Sequence, residues 1–438
     1  MKFKAFKIEK LFNQYDYLLD FTKNENIAII TGPNGYGKST ILRIMYYLFS
    51  SNLYPFFDIL FSSCEYTFQN DNGTTTSLII EKVLQVENGE GQSDLLSDEH
   101  TVLRISLNSE SQKIHIEISK TAIESAIVSA GYSSDKNGNW WKKDSGEYVT
   151  SHEILIQHPE IIEKQFIDAN DLLMFIGGLN AMFISDQRLF YTTFEIGHGF
   201  KNTMHFNKAQ VLYDADWMRK NISNLKKKFS ESFNAALLEA FTSSPQKTIL
   251  SSNLKERLEK LNKNISTLIN YGIAEQNHRI VTSINKQSES LLAGILSSCE
   301  EVVEKALIEI NSHIKFVSLI NKSGFPDKIM SIDSSNGFSF LSSKGTYISP
   351  EMLSSGEQHR IILIFKLLFR IKPGMLVLID EPELSFHVIW QTSFISELKQ
   401  ILGNKNILTI IATHSPQIID GKWSLTTDLY ELTKKTRS

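Results

Sequence analysis

Residues Asn26–Thr40 read N-I-A-I-I-T-G-P-N-G-Y-G-K-S-T, and the reading of this stretch decides the fold. Asn26 to Thr31 is a short apolar run, the kind of strand that a parallel sheet buries on both faces. A helix over Ser39–Phe49 is expected next, with Ile41, Leu42, Met45, Leu48 and Phe49 on its apolar side. Between strand and helix, Gly32 to Ser39 matches the pattern G-x-x-x-x-G-K-[ST]. Glycines let successive backbone N–H groups turn inward around phosphate oxygens with no Cβ in the way. The helix that follows aims its positive end at the same point. Gly32, Pro33, Asn34, Gly35, Tyr36, Gly37, Lys38, Ser39 and Thr40 are therefore the candidate phosphate-binding residues. Lys38 brings a point charge for the β- and γ-phosphates, and the Ser39 hydroxyl is a candidate Mg²⁺ ligand.

Four further segments point to the same place. Met375–Glu383, M-L-V-L-I-D-E-P-E, is an apolar strand that delivers Asp380 and Glu381 at its carboxyl end. That edge is where open α/β sheets bind ligands. Asp380 is a candidate Mg²⁺ ligand and Glu381 a candidate base for an attacking water. Ile411–Pro416 ends another such strand at His414, 34 residues after Asp380. Ala181–Ser185 is a third, followed by Gln187, a candidate metal contact. Finally, Ser354, Ser355, Gly356 and Glu357 precede a helix over Gly356–Ile371 that is apolar nearly all round. Ser354 and Glu357 form a capping box, S-x-x-E. The same helix start suits the γ-phosphate of a nucleotide held by another subunit, and the sequence leaves both readings open.

Strands and helices alternate at the two ends of the chain, which implies one α/β sheet assembled from N- and C-terminal parts. Residues 1–50 and 315–438 supply that head, and residues 181–207 bring Gln187 to it. Residues 51–180 read as an inserted β-rich lobe, with strands within Ser77–Val86, Thr101–Leu107 and Lys113–Ser119 and a hairpin at Asn137–Tyr148. Residues 208–314 read as inserted helices. Val211, Ala215, Met218, Ile222, Leu225 and Phe229 step by four and three, a heptad seam, and Leu254, Leu258, Leu261, Ile265 and Leu268 repeat it. A third helix is expected over Glu275–His313, and strands and turns over residues 315–349. Small bundle and protruding coiled-coil-like arm are equally compatible with the pattern.

A net charge of -4 announces no global basic field for nucleic acid. Cys64 and Cys299 have neither metal nor disulfide spacing, which suits a reducing cytoplasm. The opening MKFKAFKIEK alternates like a strand and lacks the apolar block of a signal peptide. No apolar run reaches the length of a membrane span.

Together these motifs resemble the ATP-binding-cassette ATPase superfamily. Residues 32–39 look like its Walker A loop, Gln187 its Q-loop, Leu353–Glu357 its signature, Asp380 and Glu381 its Walker B pair, and His414 its switch histidine. The resemblance implies ATP and Mg²⁺ as ligands, and a head-to-head homodimer in which each nucleotide is shared between copies. Where transporters carry the D-loop aspartate this chain has His387, which is unlike them. The long insertions are similar to SMC, Rad50 and RecF proteins and to the OLD-type and AAA_21-like ATPases. Only 24 residues follow His414 (438 minus 414), too few for the Toprim nuclease of OLD proteins. The wording of the motifs is most similar to the PtuA family of the Septu anti-phage system, which implies a separate HNH nuclease partner. A DNA-repair or chromosome-associated ATPase of the RecF or Rad50 kind is the alternative, and a transporter-type cassette a third.

Overall fold

A computed structural model describes residues 1–22, 26–84, 101–110, 113–134, 140–149, 151–164, 169–187, 189–194, 205–242, 253–281, 289–322, 325, 327–384, 386–403 and 405–437. The chain forms two compact units. The first comprises Met1–Gln187, Phe194–Phe206 and Ile371–Ser438, and the second Arg188–Thr193 and Asn207–Arg370.

The first unit holds a five-stranded parallel sheet in the order Ala181–Ile184, Leu376–Asp380, Thr409–Ala412, Ile27–Thr31, Thr426–Asp428. Its strands are rich in isoleucine, leucine and valine, which suits burial on both faces. Ile184 pairs with Ile379, Ile379 with Ile411, and Ile411 with Ile29, so the carboxyl ends line up. The expected assembly of an α/β sheet from both termini is therefore present. Thr409–Ala412 is not the last strand of this sheet in chain order. Thr426–Asp428 adds an edge beside Ile27–Thr31, too short and polar to carry a recognisable pattern.

A six-stranded antiparallel sheet begins with an N-terminal hairpin, Lys2–Leu11 and Tyr15–Asp20. It continues through Ser63–Gln69, Thr75–Leu84, Thr101–Asn108 and Lys113–Ser119. The β-rich segment and the N-terminal hairpin thus share one sheet. Phe6 pairs with Tyr66, and Leu78 with both Tyr66 and Leu107, all facing one side. The helix Lys38–Phe49 is covered on several sides. It packs against three strands of the parallel sheet. On another side Tyr66 Oη donates to the Ile44 carbonyl at 2.9 Å, and Phe49 meets Phe3 and Phe68. This accounts for the breadth of its buried face, Ile41, Leu42, Ile44, Met45, Leu48 and Phe49. The hairpin around Trp140–Lys142 and Tyr148–Val149 is also present.

In the second unit the heptad seam runs along Gln210–Thr242, with Val211, Ala215, Met218, Ile222 and Phe229 buried. This helix and Leu254–Asn270 both pack on Glu289–Glu309, a small bundle. The expected third helix over Glu275–His313 is instead a short 3-10 turn, Gln276–His278, then Glu289–Glu309 and a separate helix Asn311–Lys322. Residues 315–322 thus continue a helix where strands are expected. Their β-branched and aromatic content reads as strand, but Phe316, Leu319 and Ile320 lie at helical spacing and are buried. Phe316 packs against Phe338, Phe365 and Phe369, a tertiary cluster that overrides local preference. Gly337 opens the strand Gly337–Ser342 at φ 76°, and a Cβ there would lie 1.8 Å from the Ala215 carbonyl, so only glycine fits. The helix Ser355–Phe369 packs on Gln210–Thr242 and Asn311–Lys322. Among the described residues no helix is long and apolar enough to cross a membrane.

Candidate functional site

In the first unit, the strand Ile27–Thr31 ends in the glycine loop. Gly32, Gly35 and Gly37 all have positive φ, as the sequence requires. Gly37 is held at φ 85°, and a Cβ there would approach Leu11 Cδ2 to 2.7 Å. Gly37 caps the helix Lys38–Phe49 with no side-chain hydrogen bond, so the free N–H groups of its first turn stay unclaimed by any cap. The buried Lys38 folds back over the loop, with Nζ donating to the Gly32 carbonyl at 2.9 Å and lying 3.9 Å from Glu381 Oε1.

The neighbouring strand brings the acids. Ser39 Oγ donates to Asp380 Oδ1 at 3.0 Å. These are hard oxygen donors side by side, the set that a Mg²⁺ ion uses, so the residues fit the ion implied by the sequence. Burial holds the Asp380 carboxyl above its ordinary range, partly offset by the Ser39 hydroxyl. Asp186 adds to the rise, while Arg43 and Lys38 oppose it. Glu381 has φ 43°, a backbone state that costs a bulky side chain about 1–3 kcal/mol and clusters at functional sites. Its carboxyl is pushed up to about 7, first by burial and then by the neighbouring Glu383 carboxyl, against the pull of His414 and Lys38. His414 Nδ1 lies 2.6 Å from Glu381 Oε2. A carboxylate poised near neutrality and paired with an imidazole can take a proton from water.

The candidates of the first unit do converge. Lys38, Ser39, Asp380, Glu381 and His414 form one connected set. Gln187 is exposed three residues beyond Ile184, on the same edge of the sheet. Sequence reading passed over Asp186, Arg43 and Glu383. Glu383 was legible only as an acid near Asp380, since nothing in the pattern says that its side chain turns inward. It also passed over the helix Leu429–Arg437, whose Tyr430 ring meets Tyr36 edge-on at 5.8 Å. Tyr15 stacks on Tyr36 at 5.3 Å. Tyr17 is buried and donates its hydroxyl to the Tyr36 carbonyl at 3.0 Å, so it supports the loop from below.

The signature segment belongs to the second unit. Ser354 caps the helix Ser355–Phe369, and the capping box with Glu357 is complete. Ser354 and Ser355 are exposed. Of the two readings that the sequence leaves open for Glu357, its side chain makes the cap. Its carboxylate is buried, accepts from Ser354 N and Oγ at 2.9 Å each, and meets Lys328 Nζ at 2.7 Å. It serves the cap.

The sequence model of a family described as AAA ATPase domain (AAA_15) matches residues 1–419. No curated protein matches the chain. Among solved structures, an Smc head domain with an extended coiled coil, bound to the C-terminal domain of ScpA, from Pyrococcus furiosus is 13% identical. It has a TM-score of 0.36, covering 95% of this chain and 91% of that one. An SMC head domain from Thermotoga maritima is 11% identical at a TM-score of 0.33, covering 96% and 92%. At those scores the likeness is too slight to carry a role or a partner.

Proposed function

Because the chain belongs to the AAA ATPase domain family, we propose that it is an ATP-hydrolysing switch that closes head-to-head around nucleotide. One observation carries this reading: Glu381 sits between Lys38 and His414, beside the Ser39–Asp380 pair. The loop N–H groups and Lys38 bind the phosphates, and Ser39 and Asp380 hold Mg²⁺, with Gln187 completing the edge. Mg²⁺, when bound, neutralises charge on the β- and γ-phosphates. Glu381 receives the proton of the attacking water, and His414 orients its carboxylate. Ser354 and Gly356 of a second copy meet the γ-phosphate, so closure depends on ATP and its hydrolysis releases the pair.

The test is turnover together with light scattering. Lys38→Ala is expected to weaken ATP binding by about a hundredfold or more. Glu381→Gln is expected to lower kcat by about 10²–10⁴-fold and to accumulate as an ATP-bound dimer. Normal turnover by Glu381→Gln would remove its assigned role.

The finer reading, supported by the Septu-like wording of the motifs, is that this switch controls a separate HNH-type nuclease in anti-phage defence. Co-expression with a neighbouring HNH gene should then give a complex whose DNA cleavage responds to ATP. Salt-dependent binding of duplex DNA by this chain alone would favour the DNA-repair alternative instead.

A further inference from the structure

We propose that Glu383 is a positioning residue for ATP hydrolysis, clamping the Thr413–Ser415 segment so that His414 is aimed at Glu381. The proposal rests on the ATPase reading above and adds a residue to it.

Glu383 is buried, and one of its oxygens does unusual work. Oε1 accepts from Thr413 Oγ1 at 2.5 Å, from His414 N at 3.1 Å and from Ser415 N at 3.2 Å. Those three donors lie thirty residues and more along the chain, at the end of the next strand. Two successive N–H groups turned toward one anionic oxygen form a small anion-binding concavity. Thr413 is itself buried, and its hydroxyl also accepts from Ser415 N at 3.0 Å. Sheet pairing fixes the strands up to Asp380 and Ala412, and Glu381 N donates to the Ala412 carbonyl at 2.9 Å. Beyond that point, this carboxylate joins the two turns.

The His414 side chain is 53% exposed, so packing does little to aim it. Its ring nitrogen Nδ1 lies 2.6 Å from Glu381 Oε2 and 3.4 Å from Glu383 Oε1, and Glu383 holds its backbone N–H as well. The clamp extends outward too. Ser415 Oγ donates to Gln391 Oε1 at 2.8 Å, and Gln391 Nε2 donates to the Phe386 carbonyl at 3.1 Å. Small displacements of a catalytic pair cost large factors in rate, so loosening this clamp should be read mainly in kcat.

The experiment compares the full chain with its Glu383→Ala, Glu383→Gln, Thr413→Val and Lys38→Ala variants. Steady-state hydrolysis and Mg²⁺-dependent binding of a fluorescent ATP analogue are measured for each. Glu383→Ala should lose at least about tenfold in kcat, with analogue Kd and KM within about threefold of wild type. Glu383→Gln keeps an acceptor oxygen and should recover most of the rate. A purely structural role would lower binding and rate together and would not be rescued. Wild-type kcat in Glu383→Ala, or a Glu383→Gln variant as slow as Glu383→Ala, would overturn the proposal. Should Glu383→Ala fail to fold, Thr413→Val decides: a kcat loss of about threefold supports the clamp, and an unchanged kcat refutes it. Turnover by wild type and none by Lys38→Ala shows that the ATPase reading stands whatever the clamp variants do. No turnover by wild type would overturn both.

Discussion

Two helix starts are candidates for phosphate contact, and they are built in opposite ways. At Gly37 the helix Lys38–Phe49 begins with a left-handed glycine and no side-chain cap. At Ser354 the helix Ser355–Phe369 begins with a complete capping box, reinforced by Lys328 on Glu357. The first leaves its amides free for a ligand and so is a binding site before anything arrives. The second satisfies itself, with the Ser354 hydroxyl already donating to Glu357 at 2.9 Å. That end is stable alone, and contact with a γ-phosphate requires the hydroxyl to turn from one acceptor to another. In the proposed switch the glycine loop would therefore govern ATP affinity, and the signature end closure.

The largest break is expected from Gly37→Ala. The positive φ and the contact with Leu11 should cost about 1–3 kcal/mol, seen as a lowered unfolding midpoint, and Mg-ATP binding measured by calorimetry should be lost with it. Ser354→Ala should cost less, about 1 kcal/mol of stability. It should leave binding of ATP by the single copy within about twofold while abolishing the ATP-dependent dimer of Glu381→Gln. Equal effects of Gly37→Ala and Ser354→Ala on single-copy binding would erase the distinction. The smallest effect concerns pH. Burial alone would raise the Glu357 carboxyl, but Lys328 and Ser354 outweigh it and hold it below its ordinary value. The stability it contributes is therefore full above about pH 4.5 and is lost as pH falls through the lower folded value. Unfolding free energies of wild type and Glu357→Gln from denaturant titrations should differ by about 0.5–1 kcal/mol at pH 7 and converge as pH falls through the lowered folded value. A gap independent of pH would mean that the ion pair contributes nothing.

Local chemistry made some of this legible without the fold. A glycine loop between an apolar strand and a helix has few other uses, and an apolar strand ending in Asp380-Glu381 places acids at a binding edge. The same holds for Ser354 and Glu357, whose capping box needs four consecutive residues and is present as read. The heptad seam of Gln210–Thr242 was also readable, because its period lies within one helix.

What the sequence determined by itself is whatever depends on neighbours in the chain: the loop, the caps, the strand ends and the helical seams. What only the tertiary structure decided depends on partners far along it. Strand pairing joined Ser63–Gln69, and through it Thr75–Leu84, Thr101–Asn108 and Lys113–Ser119, to the N-terminal hairpin. An aromatic cluster made a helix of residues 315–322. A buried carboxylate thirty residues from its donors became the tie between two strand ends. Backbone geometry and capping act within a few residues and leave a local pattern. Pairing, packing and the direction of a buried side chain are settled by groups that the chain brings together only when it folds.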